Sequence, residues 1–510
     1  MKFPHRILIY FLLVLVPLFY RWKWNENYIF VSSDPQIKYY QVKNVIEGGS
    51  AESCYFPAGK IGFPLENIPV GYPWAFFLKN GKCVFQYPVL FVTIQKFVVT
   101  IFTEKLITYF PILIFFLNFL ILDQILQIYE KRNFFILLTT ILIHIFSPIF
   151  LSSLDYSELT LNNCFFLLSI LSFTKFLNSA KLFIGILLAV SIVFNFQLRP
   201  ESSIALVLFF VISFLYSKNQ ISVLRSLFPY IALTIVIQLV FFMWNLEVYG
   251  HFLGMRGLNT VNDMGSSELK REYLSEWIAD LWGNDFKIGI FKGYPILFLA
   301  GLILWWRKIS ELGPYLISGL LFILFLPILS PYRAGVDIFG MRYYESGVYL
   351  LLIGILIPFW RISPKYLGIL IILPLLYFSY KSDTRAIKIW SSSSKLYNEI
   401  MADFDKIKPD LIVHRGLSLS YLMGESYVKY PQISIYSNDD WLNVERIANK
   451  NSLKILYIQW DGNQLVKNEF PKKIWDEKFD INFQFKPSLY KIKSEYKIAH
   501  FQGYLLENKN

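Results

Sequence analysis

Four short stretches carry the residue types that acid–base and phosphate chemistry require. In Ser32-Ser33-Asp34-Pro35-Gln36-Ile37-Lys38-Tyr39-Tyr40-Gln41 a carboxylate stands where a helix can begin. Such a group can act as general base, taking the proton of an acceptor hydroxyl as a new bond forms. An Asp before a proline is also an ordinary helix cap. Asp155 and Glu158 lie three apart in Leu154-Asp155-Tyr156-Ser157-Glu158. A helical turn there places both on one face, to position an acceptor or assist the base. The same charges also suit a helix end kept in water. In Leu198-Arg199-Pro200-Glu201 the Arg199 fork matches phosphate oxygens, while Glu201 can instead cap the next helix and pair with Arg199. Asp337-Ile338-Phe339-Gly340-Met341-Arg342-Tyr343-Tyr344-Glu345 combines both charge signs with a glycine that permits close backbone approach. Arg342 beside Tyr343 can grip a phosphate at a membrane interface; an arginine and aromatic anchor belt has the same composition.

The elements that must position these residues are apolar. The chain has 510 residues, of which 55% are hydrophobic and 18% aromatic, and its mean hydropathy is +0.43. These values exceed those of a soluble globular protein and fit a polytopic α-helical membrane protein. A crossing needs about 20 mostly apolar residues. The sequence predicts about eleven, over roughly 6–21, 106–127, 133–151, 159–177, 181–198, 202–217, 225–245, 288–306, 312–331, 346–360 and 366–381. Met1 to Tyr20 resembles a signal peptide but lacks a small-residue cleavage site, so it reads as an uncleaved first crossing.

Five short gaps carry basic pairs: Lys131/Arg132, Lys175/Lys181, Lys218/Arg225, Arg307/Lys308 and Arg361/Lys365. Basic residues near short loops mark the cytoplasmic side. The N-terminus is then cytoplasmic, and Asp34, Asp155, Glu158, Arg199, Glu201, Asp337 and Arg342 all fall on the outer face. Their agreement on one face is stronger than any of the four signals alone. The implied location is a bacterial inner membrane with a periplasmic C-terminal domain. The formal charge of +12 is explained largely by loop anchors and a Lys-rich C-terminal region, so nucleic acid is not an expected partner.

Two outer loops are long, at 22–105 and 246–287. In the first, Trp74–Leu78, Asn80-Gly81 and Cys83–Tyr87 read as a hairpin closed by a type I′ turn. Tyr87–Phe102 reads as an interfacial or re-entrant helix. Cys54 and Cys83 share this loop, and whether they are bonded stays open from sequence. No Cys/His cluster suggests a metal. In the second loop, Ser266–Trp282 has apolar residues at helical spacing. The chain thus divides into a span-bearing domain, 1–381, and a soluble extracytoplasmic α/β domain, 382–510. The latter begins with a linker at Ser391–Ser394, then a helix over Lys395–Ile407, an apolar run Leu411–Val413, a possible helix Leu417–Met423, a strand Gln432–Ile435, a helix Trp441–Asn449 capped by Asn438/Asp439, and a strand Ile455–Gln459. Three polar residues read as inert: His144 as packing, Asp123 as able to reach water at its helix end, and His414 as part of a loop after a strand.

Over residues 1–381 the chain resembles the GT-C superfamily of membrane glycosyltransferases, as in protein O-mannosyltransferases and lipid A aminoarabinose transferases. The resemblance rests on the cytoplasmic N-terminus, Asp34 early in a long outer loop, Tyr87-Pro88-Val89-Leu90, Asp155–Glu158, Arg199-Pro200-Glu201 and Phe339-Gly340-Met341-Arg342-Tyr343. It implies inverting transfer of a sugar from a polyprenyl-phosphate carrier to a glycan, lipid or protein acceptor. Asp34 then matches the base, Asp155 or Glu158 the acid that holds the acceptor, and Arg199 and Arg342 the carrier phosphate. Two departures stand out: Asp34 lacks the paired acid of many members, and no Asp-x-Asp metal signature occurs, which implies transfer without a divalent metal or other cofactor. A lipid or solute transporter is the main alternative, and needs a polar path through mid-membrane. A non-catalytic scaffold is the third reading.

Overall fold

In the computed structural model the residues described are 3–24, 33–69, 76–79, 81–85, 87–217, 219–254, 277–283, 288–305, 311–329, 340–363, 365–415, 425–460, 483–498 and 501–509. They form two compact units: Met1–Lys23 with Phe97–Ile389, and Trp24–Lys96 with Trp390–Asn510.

The first unit is helical. Among the described residues, five helices are long and apolar enough to cross a membrane: Pro4–Lys23, Phe110–Tyr129, Leu159–Ser179, Gln220–Tyr249 and Arg342–Ile362. This corrects the expected eleven. Pro148 divides the third predicted crossing into Asn133–Ile145 and Ile149–Leu154. Gly293 and Pro295 break the eighth into Ile290–Gly293, Pro295–Phe298 and Leu299–Trp305. Leu182–Leu198 and Pro200–Tyr216, at 17 residues each, extend only about 26 Å at 1.5 Å per residue, short of a bilayer core of about 30 Å. A membrane environment follows from Gln220–Tyr249, whose mean hydropathy of 2.1 and wholly unburied apolar window present Phe228, Val240 and Met243 to the outside. The architecture is that of a helical membrane protein with a small C-terminal sheet.

Close packing in this unit depends on glycine. A Cβ on Gly319 would lie 2.5 Å from the Leu351 nitrogen, and one on Gly354 2.6 Å from the Leu316 nitrogen. Helices Gly313–Leu329 and Glu345–Ile362 therefore meet backbone to backbone, as small residues permit. Gly354→Val must push them apart. Overpacking of this kind costs about 1–3 kcal/mol, so the detergent-solubilised variant should melt several degrees below wild type. An unchanged melting temperature would show that this seam is looser than described.

At one end of the unit, Arg6 is clamped on Asp123. Arg6 Nε and Nη2 donate to its two oxygens at 2.7 and 3.0 Å, and Tyr10 Oη donates at 2.5 Å. Asp123 is fully buried. It does not reach water as expected, because the N-terminal helix covers it. His144 is a packing residue: its ring stacks on Phe119 at 4.2 Å, and its Nδ1 and Nε2 face the Thr140 carbonyl and Tyr349 Oη.

The second unit joins the segment Trp24–Lys96 to the C-terminal segment. Strands β1 (Phe76–Lys79) and β2 (Lys82–Phe85) form the expected hairpin across Asn80-Gly81, with Gly81 at φ +73°. Cys54 and Cys83 are disulfide-bonded. The C-terminal sheet contains β3 (Leu411–Arg415), β4 (Gln432–Ile435), β5 (Ile455–Trp460), β6 (Tyr490–Ile498) and β7 (Phe501–Asn508) in the order β4-β3-β5-β7-β6. The two pairings within β4-β3-β5 are parallel, and the β6-β7 hairpin adds antiparallel to β5. Period-2 alternation loads both faces. Leu411 and Val413 face a core with Trp441, Val444, Ala58 and Phe63, whereas Ile412 faces Ile400, Phe404 and Leu505. Ala58 and Phe63 come from the segment Trp24–Lys96, so that segment and the C-terminal sheet share one core.

Several details differ from expectation. Ser391–Ser394 is not a linker but part of one 43-residue helix, Lys365–Ile407. Ser391 and Ser394, three apart on one helix face, bind Trp24: its indole nitrogen donates to Ser391 Oγ at 2.8 Å, and Ser394 Oγ donates to its carbonyl at 3.1 Å. The helix Asn438–Lys450 is capped by Ser437 rather than Asn438 or Asp439. Ser437 and Asp440 form a reciprocal capping box, which a serine three residues before an acid allows. Strands β6 and β7 were not anticipated. Leu417–Met423 and Ser266–Glu276 lie outside the described residues, and Trp277–Trp282, the end of the expected Ser266–Trp282 helix, is helical.

His414 is a strand residue, not a loop residue, and is buried against Gln432. Burial holds its pKa down at about 4 from the ordinary 6.5, against the opposing hydrogen bond that its Nε2 donates to Gln432 Oε1. The fold therefore binds fewer protons than the unfolded chain between those values. Its stabilising contribution is complete above pH 6.5 and is lost as pH falls towards 4, a loss of about 3 kcal/mol. Urea unfolding at pH 7.5 and 4.5 should show this loss, and His414→Gln should flatten it. An equal pH dependence in the variant would assign the loss to other groups.

Candidate functional site

Three chain breaks in the first unit converge on one charged cluster. The first separates Ile149–Leu154 from Leu159–Ser179: Asp155 is extended at φ −94°, ψ 127°, and Glu158 immediately precedes the following helix. The two acids thus flank a break and do not share a helical face as the spacing suggested. The second break is Arg199, extended at φ −150°, ψ 94° between Leu182–Leu198 and Pro200–Tyr216, where proline at the first helical position ends one helix and starts the next. The third is the short 3-10 turn Gly340–Tyr344, which leads into Glu345–Ile362.

Arg199 sits between two carboxylates. Its Nε is 3.3 Å from Glu158 and its Nη1 is 2.7 Å from Glu201. The side chains of Arg199 and Glu158 are 4% and 0% exposed, so the pair is fully desolvated. Of the two expectations for Arg199, the pairing with Glu201 is formed. Tyr343 joins the two arginines, its ring lying 5.1 Å from the Arg199 guanidinium and 5.3 Å from that of Arg342. Arg342 is half-buried. Asp337 lies outside the described residues.

Glu345 completes the cluster and was not anticipated as a site residue. It is buried, accepts a hydrogen bond from Asn163 Nδ2, and lies within electrostatic reach of Asp155, Arg199 and Arg342. A polar seam continues below it. Ser346 and Ser202 share a hydrogen bond at 2.6 Å, and Asn195 Nδ2 reaches Ser202 Oγ and Asn162 Oδ1 at 3.0 and 2.9 Å. The sequence signal was Asn162-Asn163 inside an apolar crossing, since amides there need partners. Among the described residues the cluster holds the carboxylates of Asp155, Glu158, Glu201 and Glu345 and the guanidiniums of Arg199 and Arg342. One helix of 21 residues, Leu159–Ser179, separates this end from the Lys175 end by about 30 Å. The opposite ends of neighbouring helices carry the Arg132–Glu130 and Arg361–Glu311 pairs.

Asp34 belongs to the second unit, in the first turn of the helix Ser33–Ile46. It is half-buried and accepts a hydrogen bond from Tyr87 Oη at 2.7 Å. Lys38, one turn on and buried, places its ammonium 5.0 Å from the centre of the Tyr87 ring. On the opposite side of this helix, Gln36 donates to Tyr397 Oη at 2.6 Å, and the Tyr40 ring lies 4.6 Å from that of Tyr427. Burial raises the Tyr40 and Tyr427 hydroxyls well above their ordinary range, which keeps both neutral. The Asp34 helix is thereby tied to the C-terminal segment, a connection that no local pattern announces. No protein-family model matches the chain, and no curated protein matches it either.

Proposed function

We propose that the protein is a membrane glycosyltransferase of GT-C type, moving a sugar from a polyprenyl-phosphate carrier to a cell-envelope acceptor. The observation that carries this reading is the convergence of three chain breaks on a buried cluster of carboxylates and arginines at one end of an apolar helical unit. A lipid-linked donor needs such a setting, because its tail partitions into lipid while its phosphate and sugar need charged partners at the membrane edge. Transfer asks little of the leaving group, since the carrier phosphate departs without protonation. The protein must hold that phosphate, dock the acceptor in line and remove one proton.

In this reading Asp34 is the base, and Asp155, Glu158 and Glu201 shape the acceptor side. Arg342 with Tyr343 grips the carrier phosphate, while Arg199, paired with two carboxylates, holds the cluster together. The cluster faces the periplasm and the basic helix ends face the cytoplasm, with the N-terminus inside. The test is transfer from polyprenyl-phosphate-linked sugars to cell-envelope extract in membranes, wild type against Asp34→Asn. Transfer that depends on Asp34 supports the reading. No transfer from any donor, with the variant indistinguishable in cells, would favour a transporter or scaffold.

A further inference from the structure

We infer that Tyr87 is the positioning residue for the base, with Lys38 bracing its ring; the inference rests on Asp34 acting in proton removal. A carboxylate rotates through broad, shallow torsional wells, and an untethered one presents its oxygens in many directions. Tyr87 Oη donates to Asp34 Oδ1 at 2.7 Å. One directed bond to one oxygen fixes the plane in which the other is offered.

Tyr87 itself is well anchored. Its side chain is 6% exposed. Pro88, which follows, restricts its backbone and leads into the helix Val89–Ile101. Four residues earlier Cys83 is held in β2 and by its disulfide to Cys54. On the ring face the Lys38 ammonium stands 5.0 Å from the centroid, on a side chain that is 1% exposed. Desolvation strengthens such a contact. Lys38 and Asp34 are four apart on one helix, so that helix supplies both the base and the brace for its partner.

In the reaction the acceptor O–H proton passes to the Asp34 carboxylate while the acceptor oxygen bonds to the anomeric carbon. The anomeric C–O bond to phosphate breaks, and its electron pair leaves with the carrier phosphate. Tyr87 keeps its proton throughout, and its hydroxyl donates to Asp34. Losing it should affect the chemical step without weakening the binding of either substrate.

The test uses full-length protein in proteoliposomes with a polyprenyl-phosphate-linked sugar. Tyr87→Phe should lower kcat about ten- to hundredfold, as expected for a lost hydrogen bond to a charged group. KM for donor and acceptor should stay within about twofold, and the melting temperature should not change. Lys38→Gln should give a smaller drop of the same kind. If Tyr87→Phe retains kcat while Asp34→Asn is inactive, the base stands and the positioning role is overturned. A loss in which KM and melting temperature move together, in both variants, would make the contact structural and also overturn it. An active Asp34→Asn would remove the base reading itself.

Discussion

Asp34→Asn should lower sugar transfer by about three orders of magnitude, within the range of about 10²–10⁴ that a positioned general base contributes. The substitution is nearly isosteric. The Tyr87 hydroxyl can still donate to the amide oxygen, so the helix Ser33–Ile46 and its contacts with Tyr397 and Tyr427 stay in place. What disappears is the capacity to accept a proton at neutral pH. The loss should therefore lie in kcat, with donor KM and melting temperature unchanged. Transfer within about tenfold of wild type would exclude Asp34 as base, and Asp155→Asn would become the variant to measure next.

Arg199→Met should have the largest effect on stability. It removes the cation between Glu158 and Glu201 and leaves a fully buried carboxylate opposite an apolar side chain. Removing one partner of a buried ion pair costs about 3–5 kcal/mol. The purified variant should melt well below wild type. Adding Glu158→Gln to Arg199→Met should restore part of the loss, because the uncompensated charge goes with it. A mild effect of Arg199→Met, or strict additivity in the double variant, would show that the three side chains are not coupled as described.

Much of the architecture was legible because it follows from local chemistry. Apolar runs long enough for a bilayer mark Phe110–Tyr129, Leu159–Ser179 and Glu345–Ile362. Asn80-Gly81 marks the β1–β2 hairpin, and short apolar runs mark β3 to β5. The errors also have physical causes. Hydropathy windows pass over Pro148 and Pro295, which break the backbone without making it polar, so crossings were counted where helices are split or short. Four consecutive serines look like a linker until Trp24 is found bonded to Ser391 and Ser394. The β6 sequence Tyr490–Ile498 alternates clearly, but its many lysines disguised an exposed sheet edge that such charges protect.

The candidate site was legible as a set of residues and not as an arrangement. Asp155, Glu158, Arg199, Glu201, Arg342 and Tyr343 are found together, because chain breaks at one end of neighbouring helices meet there. That Arg199 pairs with both Glu158 and Glu201, and that Glu345 joins them, are tertiary facts. Glu158 and Glu345 stand almost 190 residues apart in sequence.

The core shared by Phe63, Val413 and Trp441 imposes an order on synthesis. Phe63 leaves the ribosome roughly 350 residues before its partners, which at about 5–20 residues per second is a delay of about 20–70 s. During that interval the segment carrying Ala58 and Phe63 still lacks the sheet that covers its apolar side. Nascent chains stalled before Leu411 should therefore expose this segment to protease and to chaperones, with protection arriving only when the final strands do.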